Sequence, residues 1–458
     1  MSVQEGLTDM AKTVSELQKV LGQVAKDDSG RRFHSLYDKV ASEAVLWAAL
    51  RDVEWNGGAG GIDGKELKDY ESHQARESLI REIREELLEG TYRAKPVRRV
   101  YIPKPDGSER PLGIPTIKDR VVQTALKIVL EPIYEADFKE CSYGFRPGMS
   151  CHQAMQAVWK WMNFGYTQVI DADIQKFFDT IPHDKLLRTL ARRISDGRVL
   201  WLVKQWLKAP IYEGGMLYQS TRGTPQGGVI SPLLANMYLH HLDQFWERKG
   251  YMKYAKLVRY ADDFVILCER NTEYYLSEVR RLLKNLGLEL SEAKTRIVNA
   301  YREGFDFLGF YVKKVWAYRP KWKDFGWVTG INLSRKVLKK ARRAINEIVG
   351  QGGRKSPVPM KILVGEVNKW LRHWLPYYCY ANHKETFRYM YLKVVLERLV
   401  RAEVARRSSC KRRSRKWKSM NPKYWERTYG LLNVLSAYYQ NRKRLYARLF
   451  EHPRNVMT

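Results

Sequence analysis

The ten residues RYADDFVILC (259–268) set two adjacent carboxylates, Asp262 and Asp263, inside an apolar run. Leu257, Val258 and Tyr260 precede them; Phe264, Val265, Ile266 and Leu267 follow. A buried unpaired carboxylate is expensive. The chain must therefore compensate the pair or hold it at a surface. A hairpin does the latter: strand residues 256–260, a tight turn near Ala261–Asp263 and strand residues 264–268 expose both aspartates at the tip. A second acidic pair lies in VIDADIQKFFDTI, where Asp171 and Asp173 are two apart and share one face of a strand. If that strand neighbours the hairpin, three carboxylates converge. Such a cluster repels itself unless a cation neutralises it. Hard oxygen ligands favour Mg²⁺, which completes its shell with substrate phosphates. Two ions about 4 Å apart can stabilise the attacking and leaving oxygens of a phosphoryl transfer. A lone aspartate is more often a cap or a surface ion partner; the tandem pair in an apolar hairpin favours metal chemistry.

Charge narrows the substrate. The chain has 81 Lys+Arg against 50 Asp+Glu, a net of +31. Residues 331–458 hold 31 Lys+Arg and 7 Asp+Glu, so the last quarter carries most of the excess. Such concentration points to a polyanion, nucleic acid or an anionic membrane, more than to a solvated face. No run of about 18 apolar residues exists, so no membrane span is expected. The opening MSVQEGLTDMAKTVSEL lacks the basic and apolar blocks of a signal peptide. The five cysteines have no paired spacing, which argues against a disulfide framework or zinc site and fits a reducing cytoplasm. Nucleic acid is the leading partner.

Along the chain, residues 1–30 read as polar and mobile. Helical spacing recurs over 33–55, 66–89, 117–135, 183–207, 229–249 and 272–287. NGGAGGIDG (56–64) is a glycine-rich loop without the Lys-Ser/Thr of a nucleotide-binding loop. VRRVYIPKPDGSERPLGIP (97–115) reads as two short strands joined by a PDGS turn. Residues 166–174 alternate like a strand. Strands interleaved with helices suggest an α+β core. Helical period returns over 331–349 and 358–405, around the linker QGGRKSPVP. The segment CKRRSRKWKSMNPKYW (410–425) mixes cations with Trp417, Tyr424 and Trp425, which suits phosphate contact plus base stacking, though a basic helix packed on its own domain has the same composition.

At this point a resemblance enters. Tyr260-Ala261-Asp262-Asp263 resembles the signature of group II intron-encoded reverse transcriptases. IPKPDGSERPLGIPTIKDRVVQTAL (102–126) resembles that family's fingers. CSYGFRPGMSCHQA, DADIQKFFDTIPHDKL, GTPQGGVISPLLANMYLHHLD, LGLELSEAKTRI and FDFLGFYV resemble its palm blocks in order, and NGGAGGIDG its N-terminal extension. The resemblance covers roughly residues 33–312. It implies an α+β right-hand polymerase: 1–32 a flexible N-terminus, 33–95 the extension and start of the fingers, 96–315 fingers and palm, 331–410 an α-helical thumb or maturase-specific domain, and 411–458 a basic tail. In VNKWLRHWLPYYCYANHKETF, Trp374, Tyr377 and Tyr378 fit the family's thumb helix, while His373 stands where the family usually has Gly. Only Cys410 lies beyond the thumb, so the form without a Cys-rich endonuclease is expected.

The resemblance also implies roles. Asp173 and Asp262 would bind two Mg²⁺ (or Mn²⁺), with Asp263 in the same cluster. Asp173 is preferred to Asp171 because the family's aromatic ribose gate lies five residues on, and that residue is Phe178. Arg98, Lys104 and Arg110 would hold the triphosphate. Gln226, with Gly227 and Gly228, would lie under the nucleotide or template. Lys294 would approach the primer end, and Arg412, Arg413, Arg415 and Lys416 would contact nucleic acid. The implied partners are an RNA template, a DNA primer or target and dNTPs, with no membrane; the implied place is the cytoplasm, in a ribonucleoprotein. The implied activity is RNA-dependent DNA synthesis, with binding of intron RNA for splicing and retrohoming. Alternatives are a maturase acting mainly as a splicing cofactor, or a domesticated relative in repair or phage defence.

Overall fold

The computed structural model describes residues 3–103, 109–319, 322–350, 358–406 and 421–451. Helices and strands interleave, as the sequence suggests. In chain order the strands are β1 (Val97–Pro103), β2 (Glu109–Ile114), β3 (Gln168–Asp173), β4 (Ile211–Glu213), β5 (Met216–Tyr218), β6 (Ala255–Tyr260), β7 (Asp263–Cys268), β8 (Arg296–Asn299), β9 (Phe305–Phe307), β10 (Phe310–Arg319) and β11 (Asp324–Leu333). They form three sheets, ordered β2-β1-β4-β5, β6-β7-β3-β8 and β11-β10-β9. Two compact units emerge. The first holds residues 1–150, 170–266 and 270–296; the second holds 151–169, 267–269 and 297–458.

In the first unit, β1 and β2 are antiparallel from Arg98↔Ile114 to Pro103↔Glu109, and β1 pairs parallel with β4. The helix Ile117–Glu135 follows. Its N-cap Thr116 accepts from the Asp119 N–H at 3.1 Å and donates to the Asp119 carboxylate at 2.7 Å. Nearly every residue of this helix is buried, so its apolar run is a core element and not one face of a surface helix. The sequence reading of residues 1–30 as mobile is corrected. Val3–Asp27 is a helix whose Val14, Leu21 and Ala25 are buried. Gly22 lies against Pro132, and the Gln18 amide donates to the Ile128 carbonyl at 3.1 Å. The polar residues that suggested mobility occupy the outer face of an amphipathic helix. The expected helix 183–207 is two, His183–Leu190 and Gly197–Lys208, because Asp196 caps the second by accepting from the Arg198 and Val199 N–H groups.

In the second unit β10 and β11 form a long antiparallel hairpin, and β9 pairs with β10. Helices Arg335–Gly350, Met360–Tyr378, Lys384–Tyr389, Glu397–Arg406, Pro422–Tyr429 and Val434–Glu451 follow. Tyr377 stacks on Phe310 and donates its hydroxyl to the Leu308 carbonyl at 3.0 Å. Trp374 packs on Trp370 and Tyr378. His373 is exposed and its Nδ1 lies 2.7 Å from the Lys369 carbonyl, so the helix runs through it undisturbed. Trp425, expected to stack on bases, is instead fully buried. At that position the packed-helix alternative holds, since an indole at helical spacing is worth more in a core than in water. Trp417, Arg412, Arg413, Arg415 and Lys416 lie outside the described residues. No described helix is long and apolar enough to cross a membrane. Among the described residues Cys141, Cys151, Cys268 and Cys379 are buried and not joined in disulfides.

Candidate active site

The opening motif folds as a hairpin. β6 ends at Tyr260, β7 begins at Asp263, and Ala261 and Asp262 make the turn. Ala261 has φ +58°, a left-handed conformation uncommon for a residue with a Cβ. Something must hold it. Buried Arg259 donates from Nη1 to the Ala261 carbonyl and to Asn236 Oδ1, both at 3.0 Å, and from Nε to Asp243 at 2.9 Å. Its Nη2 closes a second bond to the same carboxylate. Asn236 in turn donates to the Gly144 carbonyl at 2.6 Å. A Cβ on Gly144 would lie 2.4 Å from the Ala261 nitrogen, so only glycine admits the turn so closely. Burial pushes the Asp243 carboxyl up, but Arg259 outweighs it and holds the group down at about 2. Arg259, Asp243, Asn236 and Gly144 were missed in the sequence. The one local signal was an arginine beside the turn in a mostly apolar strand.

β3 lies beside β7 and supplies the other acids. Asp173 accepts from Lys294 Nζ at 2.8 Å, and Asp171 from Arg296 Nε at 3.0 Å. Asp262 is half-buried, and burial pushes its carboxyl up. Its own backbone N–H pulls back, Asp173 pushes further, and Arg110 and Lys294 oppose that push. Asp263 is driven to about 7 by burial, then by the charges of Asp171, Asp262 and Asp173. Both turn acids thus feel Asp173, and Asp263 feels Asp171 more strongly still. Among the described residues no group of three or more His, Cys, Asp or Glu is arranged to hold a metal. The three expected carboxylates, Asp173, Asp262 and Asp263, come from two separate segments and lie within electrostatic reach of one another. That donor set suits Mg²⁺, which takes one or two carboxylates and leaves its other positions to water and phosphate. The repulsion that remains between the acids beside Lys294, Arg296 and Arg110 is what such a cation would relieve.

Cations and amides converge beside the acids. Arg110 Nε donates to Gln226 Oε1 at 3.0 Å, and Gln226 Nε2 donates to Asp179 Oδ1 at 3.2 Å. Asp179 was not expected here. Phe178 is half-buried against Phe177, and its carbonyl accepts from the Thr224 N–H at 2.7 Å. This ties the 223–228 loop to the end of β3. Gly227 has φ +112°, and a Cβ there would lie 2.7 Å from the Gly113 carbonyl. The loop thus closely approaches β2 at this glycine. Arg98 donates from Nη2 to the Gly60 carbonyl at 2.6 Å. Arg120 bonds the Gly57 and Ala59 carbonyls at 3.2 and 2.6 Å, so two arginines brace the glycine loop. Lys104 lies outside the described residues.

Comparison with known proteins agrees with this geometry. Residues 102–312 match the family model described as reverse transcriptase (RNA-dependent DNA polymerase). Protein YkfC of Escherichia coli (strain K12) is 36% identical over 338 residues, 65% of this chain and 87% of that protein. The group II intron-encoded protein LtrA of Lactococcus lactis subsp. cremoris is 30% identical over 369 residues, 66% of this chain and 60% of LtrA. A 91 kDa protein in the cob intron of Schizosaccharomyces pombe (strain 972 / ATCC 24843) is 30% identical over 377 residues, 68% of this chain and 46% of that protein. The chain thus spans most of the first relative but under two thirds of the other two. Family model, relatives and α+β fold agree, and the chain belongs to the reverse transcriptases, the RNA-dependent DNA polymerases, of the group II intron-encoded kind.

Proposed function

We propose that the chain copies RNA into cDNA at the end of β3 and the β6–β7 turn. The observation that carries this is the pairing of β3, which bears Asp173, with β7, whose turn bears Asp262, from segments about ninety residues apart. Asp173 and Asp262 would hold Mg²⁺, or Mn²⁺ in its place, as two ions. Bound there, the metal lowers the charge cost of joining a primer 3′-OH to an α-phosphate and releasing pyrophosphate. Lys294 keeps Asp173 paired until that charge arrives. Arg110, set by Gln226 and Asp179, supplies a fixed cation for the triphosphate. Phe178 offers its ring to the ribose, where a 2′-OH would clash. Asp263, with its carboxyl near neutrality, modulates the charge behind the pair. Position and electrostatics carry the rate, with no covalent intermediate on the protein.

A second activity is compatible with the first. LtrA is named as group II intron-encoded, and the excess of cations over residues 331–458 suits extended RNA contact. We therefore propose that the chain also binds its intron RNA to assist splicing and retrohoming. The test of both is one pair of assays. With an RNA template, a DNA primer, dNTPs and Mg²⁺, Asp262→Ala is expected to lower extension by at least about 10³-fold, while affinity for intron RNA stays within about twofold because no phosphate-binding cation is removed. Extension at the normal rate by Asp262→Ala would refute the site. Extension by the unaltered protein with no effect on splicing of the cognate intron would refute the maturase activity.

A further inference from the structure

One surface of the second unit is unexplained by polymerisation. Along β10 and β11 the register pairs Trp316 with Trp327 and Tyr318 with Phe325, so these four side chains lie on one face of the hairpin. Tyr301 joins them, its ring 5.0 Å from Trp327. All five are between 39% and 61% exposed. So many large rings left in water on one face of a well-formed hairpin call for a partner.

Their geometry says what kind. Trp316 meets Trp327 at 78° and 5.6 Å; Tyr318 meets Phe325 at 62° and 5.4 Å; Tyr301 meets Trp327 at 81°. These contacts run across the hairpin. Among the described residues none runs along it, from Trp316 to Tyr318 or from Trp327 to Phe325. Same-face residues of an antiparallel strand are about 6.8 Å apart, twice the 3.4 Å thickness of a stacked base. The spacing leaves room for one planar base between successive rings. Each edge-to-face pair covers one face of one ring and leaves the other faces of the pair to receive it.

Charge favours a nucleic acid over a protein. Lys313 and Arg319 alternate onto the opposite face of the hairpin, where Arg319 pairs with Asp324, and Lys323 precedes β11. Arg319 lies 5.3 Å from the Trp322 ring. Lys314, on the aromatic face, is buried with Asn163 Oδ1 as its hydrogen-bond acceptor at 3.4 Å and has no carboxylate partner among the described residues. After Ser334 the chain enters the helix Arg335–Gly350, which has six Lys and Arg against Glu347. Cores of protein interfaces are depleted of charge, whereas interleaved rings and cations are how single strands are held.

We propose that this face of the β10–β11 hairpin is a stacking platform for unpaired nucleotides of an RNA strand, with bases entering between successive rings. The choice of RNA rests on the reading of the chain as an RNA-copying enzyme; the platform does not use the aspartates. The full-length protein is titrated into a fluorescein-labelled oligouridylate of about 20 nucleotides, long enough for the site sizes of such surfaces. EDTA is present and dNTPs are omitted, so no synthesis contributes. The double variant Trp316→Ala/Trp327→Ala is expected to bind about 5- to 150-fold more weakly. The leucine pair, which keeps apolar area but loses the ring faces, should behave like the alanine pair. The tyrosine pair should bind within about threefold of the unaltered protein, and thermal unfolding should be alike for all. The salt dependence should keep its slope, because no phosphate contact is lost. Unchanged oligouridylate affinity in the alanine pair would overturn the proposal. So would an equal loss on duplex RNA, a loss confined to oligothymidylate, or an altered sedimentation of the protein alone with RNA binding intact. Failure of primer extension by the unaltered protein would instead remove the enzymatic reading and leave the binding result standing.

Discussion

Arg259 is the residue on which the β6–β7 turn rests. It is fully buried, both its bonds to Asp243 are made inside the protein, and its remaining donors fix the Ala261 carbonyl and Asn236. Removing one partner of such a pair strands a charge, which costs about 3–5 kcal/mol. Arg259→Ala should lower the unfolding free energy by that amount in urea titrations. Arg259→Lys keeps the charge but loses the planar fork that spans Asp243 and the turn. It should fold, bind RNA within about twofold, and extend primers up to about 10²-fold more slowly, because a small misplacement of Asp262 is felt directly in the rate. Only the burial of Arg259 distinguishes these outcomes from those of a surface arginine. Burial is not legible from RYADDFVILC, where the arginine stands next to a turn and could as easily be solvated.

Among the elements, the helix Ser231–Arg248 carries Asn236 and Asp243, which both serve Arg259. It also carries His241, whose ring nitrogen is 2.9 Å from Thr189 Oγ1. Burial, then the charges of Arg192, His240 and Arg248, hold the His241 imidazole down at about 4. The folded state thus keeps it neutral where the unfolded chain, near 6.5, takes a proton. The unfolded state binds more protons in that window, so this contribution to stability is whole above about pH 6.5 and drains as pH falls through 4. Urea midpoints measured at pH 7.5, 6 and 5 should fall more steeply for the unaltered protein than for His241→Gln. The helix itself was legible, because its apolar spacing and Pro232 at the first turn are local signals. Its role under the turn was not, since it depends on which strand the helix packs against. The N-terminal helix shows the same limit from the other side: its amphipathic face gains meaning only from the helix Ile117–Glu135 that it covers.

At the scale of the whole molecule the net charge of +31 is the dominant property. An RNA-binding protein with this excess should lose affinity steeply with salt. With about six to ten phosphate contacts, binding of intron RNA should weaken about 10³- to 10⁵-fold between 50 and 200 mM salt. Anisotropy titrations at four salt concentrations measure the slope, and a flat response would remove the basic helices as the binding surface. The aromatic face of β10–β11 should add affinity without adding to that slope, so the two components separate in one data set.

The sequence by itself determined the β6–β7 hairpin with its two acids at the turn, the β1–β2 pairing, the α+β class and the family, because each follows from local period, turn chemistry or ordered motifs. Tertiary structure decided the rest. It paired Asp171 with Arg296 and Asp173 with Lys294, engaged Arg98 with the glycine loop, set Gly227 against β2 and buried Trp425. A charge or a ring has the same identity in every environment. Its pKa, its partner and its exposure come from neighbours distant in sequence, and only the fold brings those neighbours within reach.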